Sequence, residues 1–399
     1  MRSILDNDLY KFSMQNAVLR LYPDIVVKYR FTDRAPKGNW TKEALRALKR
    51  KIKAAEKAKL SLVERIWCEK NMPWINRGYW EYLANYRFNS KEVKVGLHKG
   101  KLQVEIAGLW CRTILWEVPL LAMISETYYE EIDTNWTDDG QDELMLEKSR
   151  RLTEANVIWG DFGTRRRRHF EAQERVVRIC QHNPNFTGTS NVYLAMKYGV
   201  KALGTMAHEW IMAHSALFSL RHANRFALRA WMDVYQGALG VALPDTFGTD
   251  AFLRDFDKLL ASQFDSVRHD SADPYIWAEK MIAHYGKLGI NWVTKPLGFT
   301  DGNDVDSAIA IKLWVAEKGG KCWFGIGTSM SNDYGAQSPA LKIVIKLAEV
   351  IDHSGIVVPV VKLSDSPEKA SGDPDAVEVA LWTHHGRPID GTLKLKKAA

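Results

Sequence analysis

The stretch "DSVRHDSADPYIWAEKMIAHYGKLG", residues 265–289, contains in order a short β-rich run, a polar turn and a longer helical segment opened by proline. Proline is tolerated in the first helical turn, where its missing N–H would have no partner anyway. The same unit recurs from about residue 155 to 346, with strand runs "NVIW", "VKAL", "GVAL", "DSVR", "PLGF" and "CWFG" and a second clear helix in "DVDSAIAIKLWVAEKG". Such alternation builds a parallel sheet, and a barrel or a doubly wound sheet would satisfy it. The clusters that follow the runs are "GDFGTRRRR", "GTMAHEW", "PDT", "HDSADP", "TDGND" and "GIGTS". They fall at the C-terminal strand ends, where parallel α/β folds bind ligands, and a glycine-rich loop after a late strand is a usual phosphate site of β/α barrels. The pattern predicts a barrel-like active centre.

Outside that region the reading changes. Residues 1–150 mix helical stretches with strand-like runs such as "VVKYRFTDR", "KVGLHKGKLQVEIAG" and "TILWEVPLLAMISETYY", an α+β layer. The tail segment "GIVVPVVKLSDSPEK" reads as one more strand returning to that layer, and the last dozen residues look loose.

The 399 residues allow a large core, and 46% hydrophobic with 26% charged residues is ordinary for a folded soluble protein. No apolar run approaches the roughly 18 residues of a membrane span. The start, "MRSILDNDLYKFSMQ", carries acids where a signal peptide needs an apolar stretch, so a cytoplasmic protein is expected. Four cysteines, Cys68, Cys111, Cys180 and Cys322, lack metal or disulfide-framework spacing and read as buried thiols. A net charge of +7 favours an anionic partner. Part of it lies in "KEALRALKRKIKAAEKAKL", residues 42–60, a solvated helix face or an RNA- or membrane-binding one.

Arg165, Arg166, Arg167 and Arg168 are consecutive. On a helix they would turn by about 100° each, so they cannot form one nucleic-acid stripe, and at most Arg165 and Arg168 share a face. Arg165, beside the turn, suits a forked bond to carboxylate or phosphate, with the others paired or facing water. A wholly solvated turn is the alternative. His208 and His214 are six apart, so the metalloprotease spacing fails. His208, next to Glu209 where strand gives way to helix, is expected as an exposed nucleophile or proton carrier, or as a structural histidine. Arg268, Asp270, Asp273, Asp301 and Asp304 end two strands. They could hold phosphate, ribose hydroxyls or Mg²⁺, while Asp273 and Asp304 would serve equally as helix caps. "FGIGTS", residues 324–329, can cradle a phosphate on backbone N–H groups. Tyr10 and Lys11 open a helix. A phosphorylated ribose fits this inventory better than DNA.

In order, "DLYKFSMQNA", "DFGTRR", "GTSNVYLA", "GTMAHEW", "RHDSADP", "FGIGT" and "VKLSDSPEK" closely resemble bacterial nicotinate phosphoribosyltransferase, from near the first residue to about residue 370. The resemblance implies a type II phosphoribosyltransferase fold: an irregular β/α barrel over 151–346, and an open α/β sandwich from 1–150 completed by 347–399. It implies a homodimer with shared sites. The implied reaction joins nicotinate to phosphoribosyl pyrophosphate, giving nicotinate mononucleotide and pyrophosphate for NAD salvage, with Mg²⁺ and coupled ATP hydrolysis. Residue by residue it implies that Phe162 and the partner subunit's Tyr10 sandwich the pyridine, and that Arg165 lies by the carboxylate or the ribosyl phosphate. Ser190 is neutral where nicotinamide-using relatives carry an acid. His208 becomes phosphohistidine, Arg268 meets phosphate, and Asp270 meets ribose or metal. Gly325, Gly327 and Thr328 cradle the 5′-phosphate, and Asp301 is a candidate Mg²⁺ ligand. Two departures stand out: Ala272 replaces the family's usual glycine after "HDS", and "TDGND" differs from the commoner form. The rival readings are a transferase for nicotinamide or another base, and an RNA-binding protein on an inactive scaffold. His208, Arg268 and Asp270 argue against a dead scaffold.

Overall fold

The computed structural model describes residues 1–36 and 39–386. Three strands come first, β1 (Val26–Asp33), β2 (Val93–His98) and β3 (Lys101–Leu109). Seven follow: β4 (Trp159–Asp161), β5 (Phe186–Thr189), β6 (Lys201–Ala202), β7 (Val241–Ala242), β8 (Ser266–His269), β9 (Leu297–Phe299) and β10 (Cys322–Ile326). β11 (Ile343–Ile351) and β12 (Val357–Pro359) close the series.

The repeating unit forms a curled parallel sheet in the order β6-β5-β4-β10-β9-β8-β7. Its two edge strands are not paired as a ladder. The Thr205 hydroxyl spans the gap by donating to the Val241 carbonyl at 3.2 Å. The expected irregular barrel is thus an incompletely closed one. Chain ends build the second sheet, antiparallel, in the order β12-β11-β1-β3-β2. Here the tail supplies two strands, not one: the segment read as returning holds β12, while β11 pairs with β1 from Asp33↔Ile343 to Val26↔Ile351. The return to the first layer therefore starts at Ile343, inside the predicted barrel span.

Two elements differ from the sequence reading for physical reasons. "TILWEVPLLAMISETYY" is a single turn, Ile114–Trp116, followed by a helix, Glu117–Glu131. That helix is buried on nearly every face, so it shows no polar stripe, and its length rather than its period marks it as helix. β5, "FTGT", was not among the predicted runs because glycine and threonine make a weak strand signal. Gly188 sits there at φ 141°, and a Cβ would lie 2.1 Å from the Lys201 carbonyl oxygen, so the close approach of β5 to β6 requires glycine.

The lysine-rich segment is an amphipathic helix, Lys42–Ala55, burying Ala44, Leu48 and Ile52 while Lys49, Arg50 and Lys53 face solvent. Asp273 caps the helix Pro274–Lys287 by accepting from the Tyr275 and Ile276 N–H groups at 2.9 Å. Asp304 caps Val305–Glu317 by accepting from Ser307 N–H at 2.8 Å, so both take the capping role. All four cysteines are free thiols, three buried and Cys322 half-buried. No described helix is long and apolar enough to cross a membrane.

Candidate active site

A cleft of about 1210 Å³, counting its open mouth, lies at the C-terminal ends of the parallel strands. β11 of the other sheet covers it with Ile345, Lys346 and Leu347, and the start of the helix Leu9–Leu21 closes one end. The two sheets thus share one cavity, which is how the chain's ends come to line a site made by its middle.

At the closed end, Phe162 follows β4 and is pinned by its N–H to the Ile326 carbonyl at 2.8 Å. Tyr10 of the same chain lines this end, placed by a 2.8 Å bond from Leu9 N–H to the Ser190 carbonyl. The chain's own Tyr10 stands here because residues 8–10 are tied to β5's C-terminal loop. Gly325 does not line the cavity. A Cβ there would come within 2.7 Å of the Phe162 ring, so this glycine makes room for that ring. Gly327 and Thr328 do line the cavity, at the start of a short helical turn, Thr328–Ser331.

The four arginines part company. Thr164–Arg166 is one 3₁₀ turn, and Arg167 is already extended, so the 100° step does not apply and Arg165 and Arg168 share no helix face. Arg165 and Arg166 both line the cavity. Arg165 lies 3.5 Å from Glu117 and 6.0 Å from the Tyr10 ring centre. Arg166 has no side-chain partner among the described residues. Burial, with Arg165 and Arg34 nearby, pushes its pKa down to about 10. Arg167 forks onto Asp6 at 2.7 and 3.0 Å and reaches Glu126 at 2.9 Å. Arg168 is fully buried, its guanidinium 3.6 Å from the Tyr129 ring centre and 4.2 Å from that of Tyr334, with Ser338 accepting at 2.7 Å.

Ser190, expected as a neutral neighbour of the pyridine carboxylate, donates to Asp8 Oδ1 at 2.7 Å. A carboxyl group stands in this pocket after all. Burial raises the Asp8 pKa, which weakens its charge in the site.

His208 begins the helix His208–Leu217 and is 3% exposed, not the open imidazole expected. Its Nε2 meets Asp270 Oδ2 at 2.9 Å and its Nδ1 meets Thr246 Oγ1 at 3.0 Å. Burial and the nearby Lys362 push its pKa down to about 4, so the ring is neutral at pH 7. Burial works against charge on Asp270, yet the His208 bond and Arg268 outweigh it and hold Asp270 well below the usual carboxylate range. His214 is buried elsewhere, between Tyr22 and the Trp210 carbonyl. Glu209 and Lys11 form a buried ion pair beneath the cavity, joined by Glu117, Tyr29 and Trp110.

Two residues escaped the sequence reading. Asp245, in "PDT" after β7, lies 3.6 Å from His208 Nε2 and pairs with Lys362 at 2.9 Å. Its strand-end position was the available signal. Lys346 lines the cavity from β11 with no side-chain partner among the described residues, and burial with Lys362 nearby pushes its pKa down to about 7. Inside "IVIKLAEVI" a single lysine reads as an edge-facing strand residue, so nothing flagged it.

His208, Asp245 and Asp270 offer ligand atoms within 4.8 Å of one another. Asp245 Oδ1 is buried with no hydrogen-bond partner among the described residues, and two carboxylates suit Mg²⁺, so these residues fit that ion. Asp301 is instead committed to Lys369 at 2.5 Å, which removes it from this set. Ala272 sits at φ 68°, a left-handed conformation that its usual glycine counterpart adopts without strain.

The family model described as nicotinate phosphoribosyltransferase (NAPRTase) family matches residues 158–385, and the model of its N-terminal domain matches residues 5–125. The chain belongs to the nicotinate phosphoribosyltransferase family. Among curated relatives, the nicotinate phosphoribosyltransferase of Methanosarcina mazei is 43% identical over 98% of this chain and 99% of its own. The probable nicotinate phosphoribosyltransferase of Schizosaccharomyces pombe is 37% identical over 94% and 95%. The crystal structure of nicotinate phosphoribosyltransferase from Porphyromonas gingivalis superposes with a TM-score of 0.93 at 36% identity, covering 96% of this chain and 99% of that one. In nicotinate phosphoribosyltransferase terms, the cleft at the strand ends is the candidate active site.

Proposed function

We propose that this chain transfers the 5-phosphoribosyl group of phosphoribosyl pyrophosphate to nicotinate, releasing pyrophosphate and forming nicotinate mononucleotide for NAD salvage, with ATP hydrolysis coupled through His208. The observation that carries it is one cavity holding two aromatic rings at its closed end and, beyond them, Arg166 and Lys346, which have no side-chain partner among the described residues. Phe162 and Tyr10 receive the pyridine ring, and offset stacking suits an aromatic heterocycle. Arg165 takes the pyridine carboxylate by a charge-assisted bond. Asp8 opposes that charge less than an ordinary aspartate would, because burial favours its protonated form.

Arg166, Arg268 and Lys346 receive the phosphate and pyrophosphate charges, with Gly327 and Thr328 at the strand-end turn. Asp245 and Asp270 would hold Mg²⁺, which supplies charge neutralisation on the leaving pyrophosphate. The C1–O bond to pyrophosphate breaks as the pyridine nitrogen's lone pair forms the C1–N bond, so no protein nucleophile is needed at the sugar. In the coupled half, a lone pair of the neutral His208 imidazole attacks the terminal phosphorus of ATP; ADP leaves, and water later cleaves the P–N bond to give phosphate. Both ring nitrogens are hydrogen-bonded here, so one contact has to open for that attack. The homodimer implied by the family resemblance remains part of this reading.

Incubation of the purified protein with nicotinate, phosphoribosyl pyrophosphate and Mg²⁺ tests the reaction. Nicotinate mononucleotide is the expected product. Its absence, or faster turnover with nicotinamide, would overturn the proposed substrate.

A further inference from the structure

We propose that Ser331 and Asn332, neither of which lines the cavity, are positioning residues for Arg166. This rests on the reading of Arg166 as a ligand for the phosphates of the ribosyl donor. Arg166 lines the cavity with no side-chain partner among the described residues, so its aim is set by the backbone that carries it. It ends the 3₁₀ turn Thr164–Arg166, and the last carbonyls of such a turn have no partner within it. Asn332 supplies the missing donor: its Nδ2 donates to the Arg166 carbonyl at 2.7 Å. A carbonyl only accepts, so the amide nitrogen, not the amide oxygen, must face it. At the other end of the turn the Ser331 hydroxyl donates to the Gly163 carbonyl at 3.1 Å. A Cβ on Gly163 would lie 2.3 Å from that hydroxyl oxygen, so the close approach of the two segments needs glycine. Arg168 N–H completes the junction by donating to the Ser331 carbonyl at 3.1 Å.

A donor positions its partner only if it is itself fixed. Both side chains are buried, and the Ser331 and Asn332 N–H groups donate to the Gly327 and Thr328 carbonyls at 3.1 and 2.9 Å. From the outer side Lys148, on the helix Gln141–Glu154, donates to the Ser329 carbonyl at 2.6 Å and pairs with Asp333 at 2.6 Å. The turn after β10, with Gly327 and Thr328 on the cavity, is thereby a fixed post for the turn after β4, with Arg166 on the cavity. The two phosphate-facing segments are held at one spacing by side chains that no substrate touches.

The test is a double-mutant cycle. Asn332→Leu removes the amide donor at similar volume, Ser331→Ala removes the hydroxyl, and each is made alone and together with Arg166→Ala. kcat and KM for phosphoribosyl pyrophosphate are measured on full-length protein at saturating nicotinate. Alone, each substitution is expected to raise KM about fivefold, the scale of one lost hydrogen bond, with kcat changed less than about twofold. In Arg166→Ala protein, whose own KM is raised, the same substitutions are expected to change KM by less than about twofold, because the group they aim is gone. Equal further rises in both backgrounds would overturn the inference, as would a loss confined to kcat or no change in either variant. If Asn332→Leu does not fold, the Ser331→Ala cycle decides by the same criteria. An unchanged KM in Arg166→Ala would sink the phosphate reading of Arg166 and this inference with it, whereas a raised KM there with additive effects would sink the inference alone.

Discussion

Arg167 forks onto Asp6 at 2.7 and 3.0 Å inside the protein, whereas Arg166, one residue earlier, turns toward the cavity with no side-chain partner among the described residues. Residue type and sequence neighbourhood are the same, and only the environment differs. A guanidinium whose counter-charges are built into the fold contributes to structure, and one left without them is free to recognise an anion. The comparison shows why a run of like charges has to be read one residue at a time.

Removing a paired arginine should produce the largest effect. Arg167→Met strands Asp6 and Glu126 without their counter-charge, at an expected cost of about 3–5 kcal/mol. Urea unfolding would measure it, and a loss below about 1 kcal/mol would break the distinction. Arg166→Ala should do the reverse. Its stability is expected within about 1 kcal/mol of wild type, while kcat/KM for phosphoribosyl pyrophosphate falls about 10–100-fold, the value of a charge-assisted contact.

Ser190→Asp sharpens the comparison at the other end of the cavity. It sets a second carboxylate against Asp8, and the two cannot both ionise readily at contact distance. We expect the ratio of nicotinate to nicotinamide turnover to fall about tenfold; an unchanged ratio would remove Ser190 from selectivity.

A smaller, pH-dependent effect follows from Lys346. With a folded pKa near 7, it is charged below that pH and neutral above it. Its unfolded counterpart stays protonated to about pH 10.4. Between these values the unfolded chain binds more protons, so this residue makes stability rise with pH, while the pull on an anionic substrate weakens. KM for phosphoribosyl pyrophosphate should rise a few-fold (~3) from pH 6 to 8, and Lys346→Met should flatten that slope. The smallest effect is expected for the solvent face of the Lys42–Ala55 helix. Lys49→Gln with Lys53→Gln should shift stability by less than about 0.5 kcal/mol and leave turnover untouched; slower turnover would give that face a functional role.

How much of this was legible beforehand depends on whether the signal was local. Strand, turn and helix alternation is local, so six of the parallel strands and the face carrying the site could be read directly. β5 could not, because "FTGT" lacks the bulky residues that mark a strand, and its place is secured by the fit of Gly188 against β6. Asp273 and Asp304 carried a local capping signal, and the structure gives them that role. Asp245, Lys346 and the pairing of Arg167 with Asp6 are products of tertiary approach, and no spacing rule announces a partner more than 150 residues away. The burial of His208 belongs to the same class, since its walls come from β7, β8 and the tail.

The account's central claim is most directly tested by pyrophosphate release from nicotinate and phosphoribosyl pyrophosphate with Mg²⁺, measured with and without ATP on wild type and His208→Ala. Wild type should release pyrophosphate and be stimulated by ATP, and His208→Ala should keep a basal rate while losing the stimulation. Equal stimulation in both proteins would contradict the role given to His208, and no release by wild type with nicotinate would contradict the reaction itself.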